Sequence, residues 1–129
     1  PASTDTATND QALVFGVSLG QTDIFLTSDA PVSRLESAWQ RWLDERVDEI
    51  SLEILKVGHH GSAGASGKLF LEAVTPEYAG ISVGADNTYG HPSRRVLKRL
   101  ERAGAKVFRT DLNGDVVFEI DKDGTVLKE

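Results

Sequence analysis

Short β-rich runs alternate with helical patterns along almost the whole chain, and this alternation constrains the fold more than any other feature. Two runs, ALVFGVSLG and TDIFLTSDA, flank Gly20-Gln21 in the pattern of a hairpin. Five further β-rich runs follow in the order SLEILKV, EYAGISV, KVFRT, DVVFEI and TVLK. The predicted order of elements is β-β-α-β-α-β-α-β-β-β. Such an order is typical of a layered α/β domain in which helices pack on a mixed sheet.

Three helices are predicted between these strands. The first extends from Val32 to about Val47, where apolar residues recur at three- and four-residue steps. A short helix is predicted in KLFLEAV and is stopped by Pro76. The third runs through RRVLKRLERAG, with Pro92 in its first turn and Gly104 as its C-terminal stop.

Composition places the chain among ordinary globular proteins, because its 129 residues are 40% hydrophobic and 26% charged. The small polar residues at the start predict a flexible tail or linker at 1–9, and 10–129 are expected to form one domain portion. Without methionine and with proline first, the chain is expected to be a processed or excised piece of a longer protein.

The charge balance limits the partners that the sequence indicates. The formal net charge is −6 and no long basic run occurs, so the overall charge does not indicate that the ligand is a nucleic acid. The absence of cysteine excludes disulfides and thiolate metal ligands. No apolar run approaches the length of a membrane span.

Polar side chains follow three of the predicted strands, at the point where each strand ends. Asp29 follows TDIFLTS, His59 and His60 follow SLEILKVG, and His91 lies in the loop after EYAGISVG. In α/β sheets, ligands gather just beyond the carboxyl ends of the strands. Neutral imidazole and carboxylate are ligands of zinc, manganese and iron. The placement therefore predicts a ligand or metal site at this edge.

The histidine pair lies between two glycines that allow the chain to turn sharply, Gly58 and Gly61. Adjacent side chains that leave an extended segment point to opposite faces, so one of His59 and His60 is expected to be a direct metal ligand. We favour His59, which is nearer to the end of the strand. The other imidazole would support the ligands or face a substrate oxyanion.

Each of these residues also has a purely structural interpretation. Asp29 precedes Ala30-Pro31 and would then cap the helix that follows. The two loop histidines would be solvated side chains without a ligand. His91, directly before Pro92, would be only a neighbour of the N-cap of its helix.

Several motifs together resemble one family. LKVGHHGS, FLEAVTPEYAGISVG and NTYGHPSRRVLKRLERAGAKVFRTDLNGDVVFEI are similar to the C-terminal half of the metallo-β-lactamase-like domain of ComEC-type bacterial competence proteins, which form a DNA-uptake channel. NDQALVF and FLTSDA fit the preceding elements of that family in the same order. The resemblance covers nearly everything from Asn9 to about Ile120.

The resemblance implies half of an αββα sandwich with two divalent metal ions, zinc or manganese, in the complete domain. It implies that Asp29 bridges the metals and that His59 or His60 completes the shell of one of them. His91, together with Tyr89, would meet the substrate, orient its phosphate or protonate the leaving oxygen. The implied activity is that of a nuclease acting on DNA, in a soluble domain of a bacterial inner-membrane protein. The resemblance does not determine on which side of the membrane this domain lies.

The chain also departs from the family pattern. The HxHxDH signature, which supplies most of the metal ligands, does not occur in this sequence. The family pattern places it in the N-terminal half of the domain, which we expect this chain to lack. Ser28 stands where glycine is expected before Asp29. We therefore expect this chain alone to be inactive or nearly so, with too few ligands to hold a catalytic metal and with an exposed sheet face that favours self-association. A stand-alone hydrolase of another ester or phosphodiester, and a non-catalytic binding or assembly module, are the alternative functions.

Overall fold

The computed structural model describes residues 12–46, 52–62, 67–122 and 126–128. The tail predicted at 1–9 and the predicted helix end at Val47 lie outside these residues. Among the described residues, the strands are β1 (Phe15–Leu19), β2 (Thr22–Leu26), β3 (Leu52–Lys56), β4 (Tyr78–Ile81), β5 (Lys106–Arg109), β6 (Phe118–Ile120) and β7 (Val126–Lys128). The helices are α1 (Val32–Glu45), α2 (Lys68–Val74), α3 (Arg94–Arg102) and α4 (Thr110–Asn113), with a 3-10 turn at Gly58–Gly61.

Five strands form one mixed sheet in the order β1-β2-β3-β4-β5. Strand β1 is antiparallel to β2, whereas β2, β3, β4 and β5 are mutually parallel. The carboxyl ends of β2, β3 and β4 consequently lie at the same edge. Strands β6 and β7 form a separate two-stranded antiparallel sheet. This arrangement confirms the predicted α/β class with a mixed sheet and helices packed on it.

The core lies between one face of the sheet and the long helices. Phe25 of β2 meets the edge of Trp39 with 5.5 Å between ring centroids, and it stacks on Trp42 at 5.8 Å. Gly16 of β1 lies directly beneath Trp42, because a β-carbon on Gly16 would stand 2.6 Å from the indole ring. The absence of a side chain at Gly16 therefore allows α1 to pack closely on the hairpin.

The opposite face of the sheet is only partly covered. Phe118 of β6 packs against Tyr78 and Phe108, with ring centroids 5.5 and 5.9 Å apart respectively. Farther along this face, Phe15 and Leu26 are 53% and 40% exposed. The two residues are register partners in the β1–β2 pair, so they form a continuous apolar surface.

Two details of the predicted elements are wrong. Pro92 lies before α3, and the helix is instead capped by Ser93, whose Oγ accepts a hydrogen bond from the backbone N–H of Arg95 at 3.1 Å. The short helix α4 follows β5 directly, where only a turn before the next strand is expected. Gly104 does follow the end of α3 with a φ of 84°, as its predicted role as a helix stop requires.

None of the helices in the described part of the chain combines the length and the hydropathy that a membrane crossing needs.

Candidate functional site at the carboxyl edge of the parallel strands

The parallel strands bring the sequence-predicted side chains together at one edge of the sheet. Asp29 lies three residues after β2, and His59 lies three residues after β3. His91 belongs to the loop between β4 and α3. His59 is in ring contact with both His60 and His91, at centroid distances of 6.2 and 5.8 Å. The structure therefore assembles all three histidines and Asp29 in one cluster.

His60 is the imidazole that lies beside Asp29. Its Nδ1 lies 2.6 Å from the carbonyl oxygen of Ser82, to which only a protonated Nδ1 can donate a hydrogen bond. In the neutral ring this leaves Nε2 with a lone pair, and Nε2 lies 3.6 Å from Asp29 Oδ1. A histidine whose second nitrogen is held by a backbone carbonyl has the orientation that metal-ligating histidines commonly show.

His59 faces the other side of the cluster, toward His91. The rings of His91 and Tyr89 are stacked with 19° between their planes and centroids 5.9 Å apart. His59, His91 and Tyr89 thus form a continuous row of aromatic rings that ends at the surface, since Tyr89 is 81% exposed. The role predicted for Tyr89 beside His91 is compatible with this contact.

The histidine pair does not leave an extended segment, and this premise of the sequence prediction is wrong. His59 and His60 have φ values of 47° and 54°, both in the left-handed region. Ser28, where the family pattern has glycine, also has a positive φ of 50°, and its carbonyl accepts the His59 N–H at 2.9 Å. Left-handed conformations cost a non-glycine residue about 1–2 kcal/mol. Such strain concentrates at functional sites.

Asn87 organises the loop that carries His91, and sequence reasoning missed it. Its Nδ2 donates to the carbonyl oxygens of Gly84 and His91, both at 2.9 Å. Its Oδ1 accepts the backbone N–H groups of Tyr89 at 3.2 Å and His91 at 3.0 Å. An Asn in the motif NTYGHP is the available signal, because Asn side chains commonly bond backbone groups two to four residues away in turns.

Lys56, at the end of β3, is a second residue that sequence reasoning missed. Its Nζ donates to the carbonyl oxygen of Val57 at 3.1 Å. Burial lowers the pKa of Lys56 below its ordinary value, and the negative charge of Asp29 partly opposes this shift. The Lys56 side chain lines a cavity of about 390 Å³ together with Ser82 and Thr110. The electrostatic interaction with Asp29 thus favours the protonated form of Lys56.

The electrostatic environment of His91 favours its neutral form. Burial lowers the pKa of His91, and the neighbouring His59 and His60 lower it further. A neutral imidazole accepts a hydrogen bond or a proton at neutral pH. This direction supports a base or hydrogen-bonding role for His91 more than the acid role that the family resemblance implies.

The described side chains offer only part of a metal site. Ligand atoms 2.0–2.2 Å from a tetrahedral ion are about 3.4 Å apart, so the 3.6 Å between His60 Nε2 and Asp29 Oδ1 suits two ligands of one ion. Within residues 12–46, 52–62 and 67–122, however, no group of three or more His, Asp or Glu side chains is arranged to hold a metal ion. The described residues alone therefore do not fit a complete metal centre.

The geometry has a different bearing on each of the purely structural interpretations of these residues. Asp29 is not the N-cap of α1, because Pro31 occupies that position and makes no side-chain cap hydrogen bond. His91 lies two residues before the true cap, Ser93. The histidine pair is held by backbone contacts to two neighbouring loops, which a solvated surface pair does not need.

The fold and this cluster define an α/β protein with a carboxylate–histidine site at the carboxyl edge of parallel strands. The chain is 36% identical over 119 residues to ComE operon protein 3 of Bacillus subtilis, covering 92% of this chain and 15% of that protein. It is 34% identical over 116 residues to Competence protein ComA of Neisseria gonorrhoeae, covering 90% of this chain and 16% of that protein. It therefore belongs to the ComEC family of competence proteins, as a segment homologous to part of them.

A third relative is Recombination protein 2 of Haemophilus influenzae, which is 33% identical over 110 residues, 85% of this chain and 13% of that protein. The chain spans less than a fifth of the length of each of these relatives. No family model matches the chain, and no solved structure gives a significant match.

Proposed function

We propose that this chain is a segment of a DNA-uptake protein and contributes part of a metal-dependent hydrolase site that acts on the phosphodiester bonds of DNA. The observation that carries the proposal is the pairing of His60 with Asp29 at 3.6 Å, at the edge where His59 and His91 also lie. The similarity to proteins named for competence supports the link to DNA uptake.

In this proposal Asp29 and His60 supply two ligands for zinc or manganese, and further ligands come from residues other than those described. His59 stands between this pair and His91 and supports the orientation of both. The architecture would be half of a metallo-β-lactamase αββα sandwich, with 10–129 as the domain portion. Its partners would be the N-terminal half and the membrane channel of a bacterial inner-membrane protein.

The other side chains of the cluster have separate tasks toward a phosphodiester. Neutral His91 accepts a hydrogen bond from an attacking water, and its stacking on Tyr89 holds the imidazole plane. Lys56 interacts electrostatically with Asp29, and its protonated form would offset the repulsion between that carboxylate and a phosphate. Asn87 fixes the backbone on both sides of Tyr89, and thereby the position of His91.

The test is a nuclease assay on a complete ComEC-type protein that carries this segment, with metal content measured on the same samples. We expect Asp29→Asn and His60→Gln each to reduce the hydrolysis of labelled DNA by a factor of about 100 and to reduce bound metal, as loss of a ligand does. Asp86→Asn, which changes an exposed carboxylate of the loop after β4, serves as the matched control.

The outcomes separate the rival functions. Unchanged hydrolysis in both ligand variants would overturn the site assignment. Metal binding with no action on DNA, but with hydrolysis of another ester or phosphodiester, would favour a hydrolase of a different substrate. A wild-type protein that neither binds metal nor hydrolyses such substrates would leave a binding or assembly module as the better account.

A further inference from the structure

Helix α3 concentrates positive charge in a protein whose net charge is −6. Its nine residues include five of the 14 basic residues of the chain and one acidic residue, Glu101. The basic residues of the helix are Arg94, Arg95, Lys98, Arg99 and Arg102. A local excess of this kind in an acidic chain indicates a surface that meets an anion.

The positive charges of α3 share one face. At about 100° per residue, the five basic positions fall within an arc of about 140°, whereas the buried Val96 and Leu100 lie on the opposite side. Arg94, Lys98 and Arg102 are four residues apart, so they follow one another at intervals of about 6 Å along the helix. These three side chains and Arg95 are exposed and make no ion pair within the part of the chain that the structure describes.

This basic face begins at the candidate site. The backbone N–H of Ser93, the residue before α3, donates to the carbonyl oxygen of Gly61 at 2.9 Å. Gly61 follows His60 directly in the chain, so the start of the basic row is tied to the histidine turn. Tyr89 lies on the loop that leads into α3. Its ring is 81% exposed, while its backbone N–H is held by Asn87 at 3.2 Å.

We propose that the basic face of α3 and the ring of Tyr89 form a binding surface for single-stranded nucleic acid that leads the strand to the histidine cluster. The proposal rests on the proposed function and adds the form of the substrate and the path by which it approaches. The phosphates lie along Arg94, Lys98 and Arg102. One base stacks on the open face of Tyr89.

The pairing of a basic row with an exposed ring favours a single strand over a duplex. An unpaired base presents its whole π-face to an aromatic side chain, whereas a base inside a duplex is covered by its neighbours. Arginine and lysine supply the phosphate contacts in either case, so they do not distinguish the two forms. The selectivity for a single strand therefore depends on Tyr89.

Binding is measured by the fluorescence anisotropy of a short labelled oligothymidylate with the whole chain, in EDTA so that no metal-dependent hydrolysis occurs. A duplex of equal length, an abasic oligomer and vesicles of anionic phospholipid are compared. We expect the single strand to bind most tightly. The logarithm of the affinity should fall with the logarithm of salt concentration, with a slope of about −0.7 for each phosphate contacted.

The double variant Arg94→Glu with Lys98→Glu should lose at least about tenfold in affinity. The slope of log affinity against log salt should become less negative by about 1.4, because two phosphate contacts are lost. Its matched control, Arg41→Glu with Lys122→Glu, makes the same change in net charge at exposed positions elsewhere and should stay within about twofold. Tyr89→Ala should reduce the affinity for oligothymidylate about tenfold and leave the affinity for the abasic oligomer unchanged. Tyr89→Phe should retain the wild-type affinity for both oligomers.

The surface assignment is overturned if the wild-type chain binds no single strand, if both double variants lose affinity equally, or if Tyr89→Ala has no effect on oligothymidylate. Charge-dependent binding to the vesicles alone would assign α3 to a membrane instead. These outcomes are distinct from failure of the proposed function. That function is judged by hydrolysis in the Asp29→Asn and His60→Gln variants, which leave α3 intact.

Discussion

Gly61 and Pro92 lie so close together that a β-carbon on Gly61 would stand 2.5 Å from Cβ of Pro92 and 2.9 Å from its Cα. Gly61 also has a φ of 83°, in the left-handed region that favours glycine. Through this contact the loop that carries His59 and His60 packs directly against the loop that carries His91. The arrangement of the three histidines therefore depends on the absence of a side chain at Gly61.

Gly61→Ala should lower the free energy of unfolding by about 2–4 kcal/mol, because strain at a positive φ and overpacking against Pro92 both contribute. Urea denaturation followed by circular dichroism measures this change. Gly84→Ala is the matched control, since a β-carbon there meets nothing within 4 Å and its φ is not left-handed. Equal losses in the two variants would contradict the proposed role of the contact with Pro92.

Asn87→Ala should loosen the loop around His91, because the side chain makes four hydrogen bonds to the backbone of that loop. We expect a loss of about 1–3 kcal/mol in the free energy of unfolding. The pKa of His91 should also rise toward its ordinary value, since burial is the main cause that lowers it. Urea denaturation and an NMR titration of the histidine rings measure these two effects.

Two further variants separate the role of Asn87 from a general effect of mutating this loop. Asn87→Asp keeps an acceptor for the N–H groups of Tyr89 and His91 but loses the donor. Its loss in the free energy of unfolding should therefore lie between zero and the loss in Asn87→Ala. Asp86→Ala changes the exposed neighbouring residue and should leave the titration of His91 unchanged. A pKa of His91 that is identical in the wild type and Asn87→Ala would count against a positioning role.

Apart from α4, the element order could be predicted from the sequence because it follows from local patterns, and the meeting of the site residues follows from that order. Gly20 marks the β1–β2 hairpin, and the apolar spacing in 32–45 marks α1. Once β2, β3 and β4 are recognised as parallel, their carboxyl ends must share an edge, and Asp29, the His59–His60 pair and His91 are expected to come together there.

The orientation of the histidines could not be predicted in the same way. Which imidazole lies beside Asp29 depends on the left-handed φ angles of His59 and His60 and on the carbonyl of Ser82, which is 22 residues from His60. Local propensities do not predict the φ angles, because few non-glycine residues adopt a positive φ, and they do not predict a contact with a residue this far along the chain. The cap of α3 was missed for a simpler reason. Ser93 and Pro92 are both favourable near a helix start, and only the backbone decides between them.

Acid should weaken the link between Arg109 and Asp111 after β5. Asp111 accepts two hydrogen bonds from the guanidinium, at 3.0 and 2.6 Å, and these bonds are the main cause that lowers its pKa. A carboxylate with a lowered pKa in the folded state contributes stability above its unfolded pKa, about 3.9. That contribution is lost as the pH falls through the folded value.

Thermal unfolding between about pH 6 and about pH 2 measures this loss, because the window starts above the unfolded pKa and extends into the acidic range below it. Asp111→Asn should flatten the pH dependence of the unfolding midpoint below about pH 4. Asp115→Asn, at an exposed carboxylate nearby, should retain the wild-type dependence. If both variants keep the full dependence on pH, the Arg109–Asp111 pair is not its source.

The apolar face of β1 and β2 should cause the chain to self-associate. Phe15, Val17 and Leu19 alternate along β1 on the face away from the helices, with exposures of 53%, 42% and 53%. Contiguous apolar surface of this kind on a sheet favours contact with another protein surface. We expect the purified chain to form concentration-dependent oligomers in sedimentation velocity experiments.

Replacing two side chains on this face should separate surface-driven association from misfolding. Phe15→Thr with Val17→Thr retains the β propensity of the strand but removes apolar area, so it should shift the population toward monomer with an unchanged circular dichroism spectrum. Leu69→Thr on α2 removes a side chain that is 75% exposed on the helix-covered side, and it should leave the association unchanged. If the wild-type chain is monomeric at every concentration, or if Leu69→Thr disrupts the oligomers equally, the open sheet face is not the surface that associates.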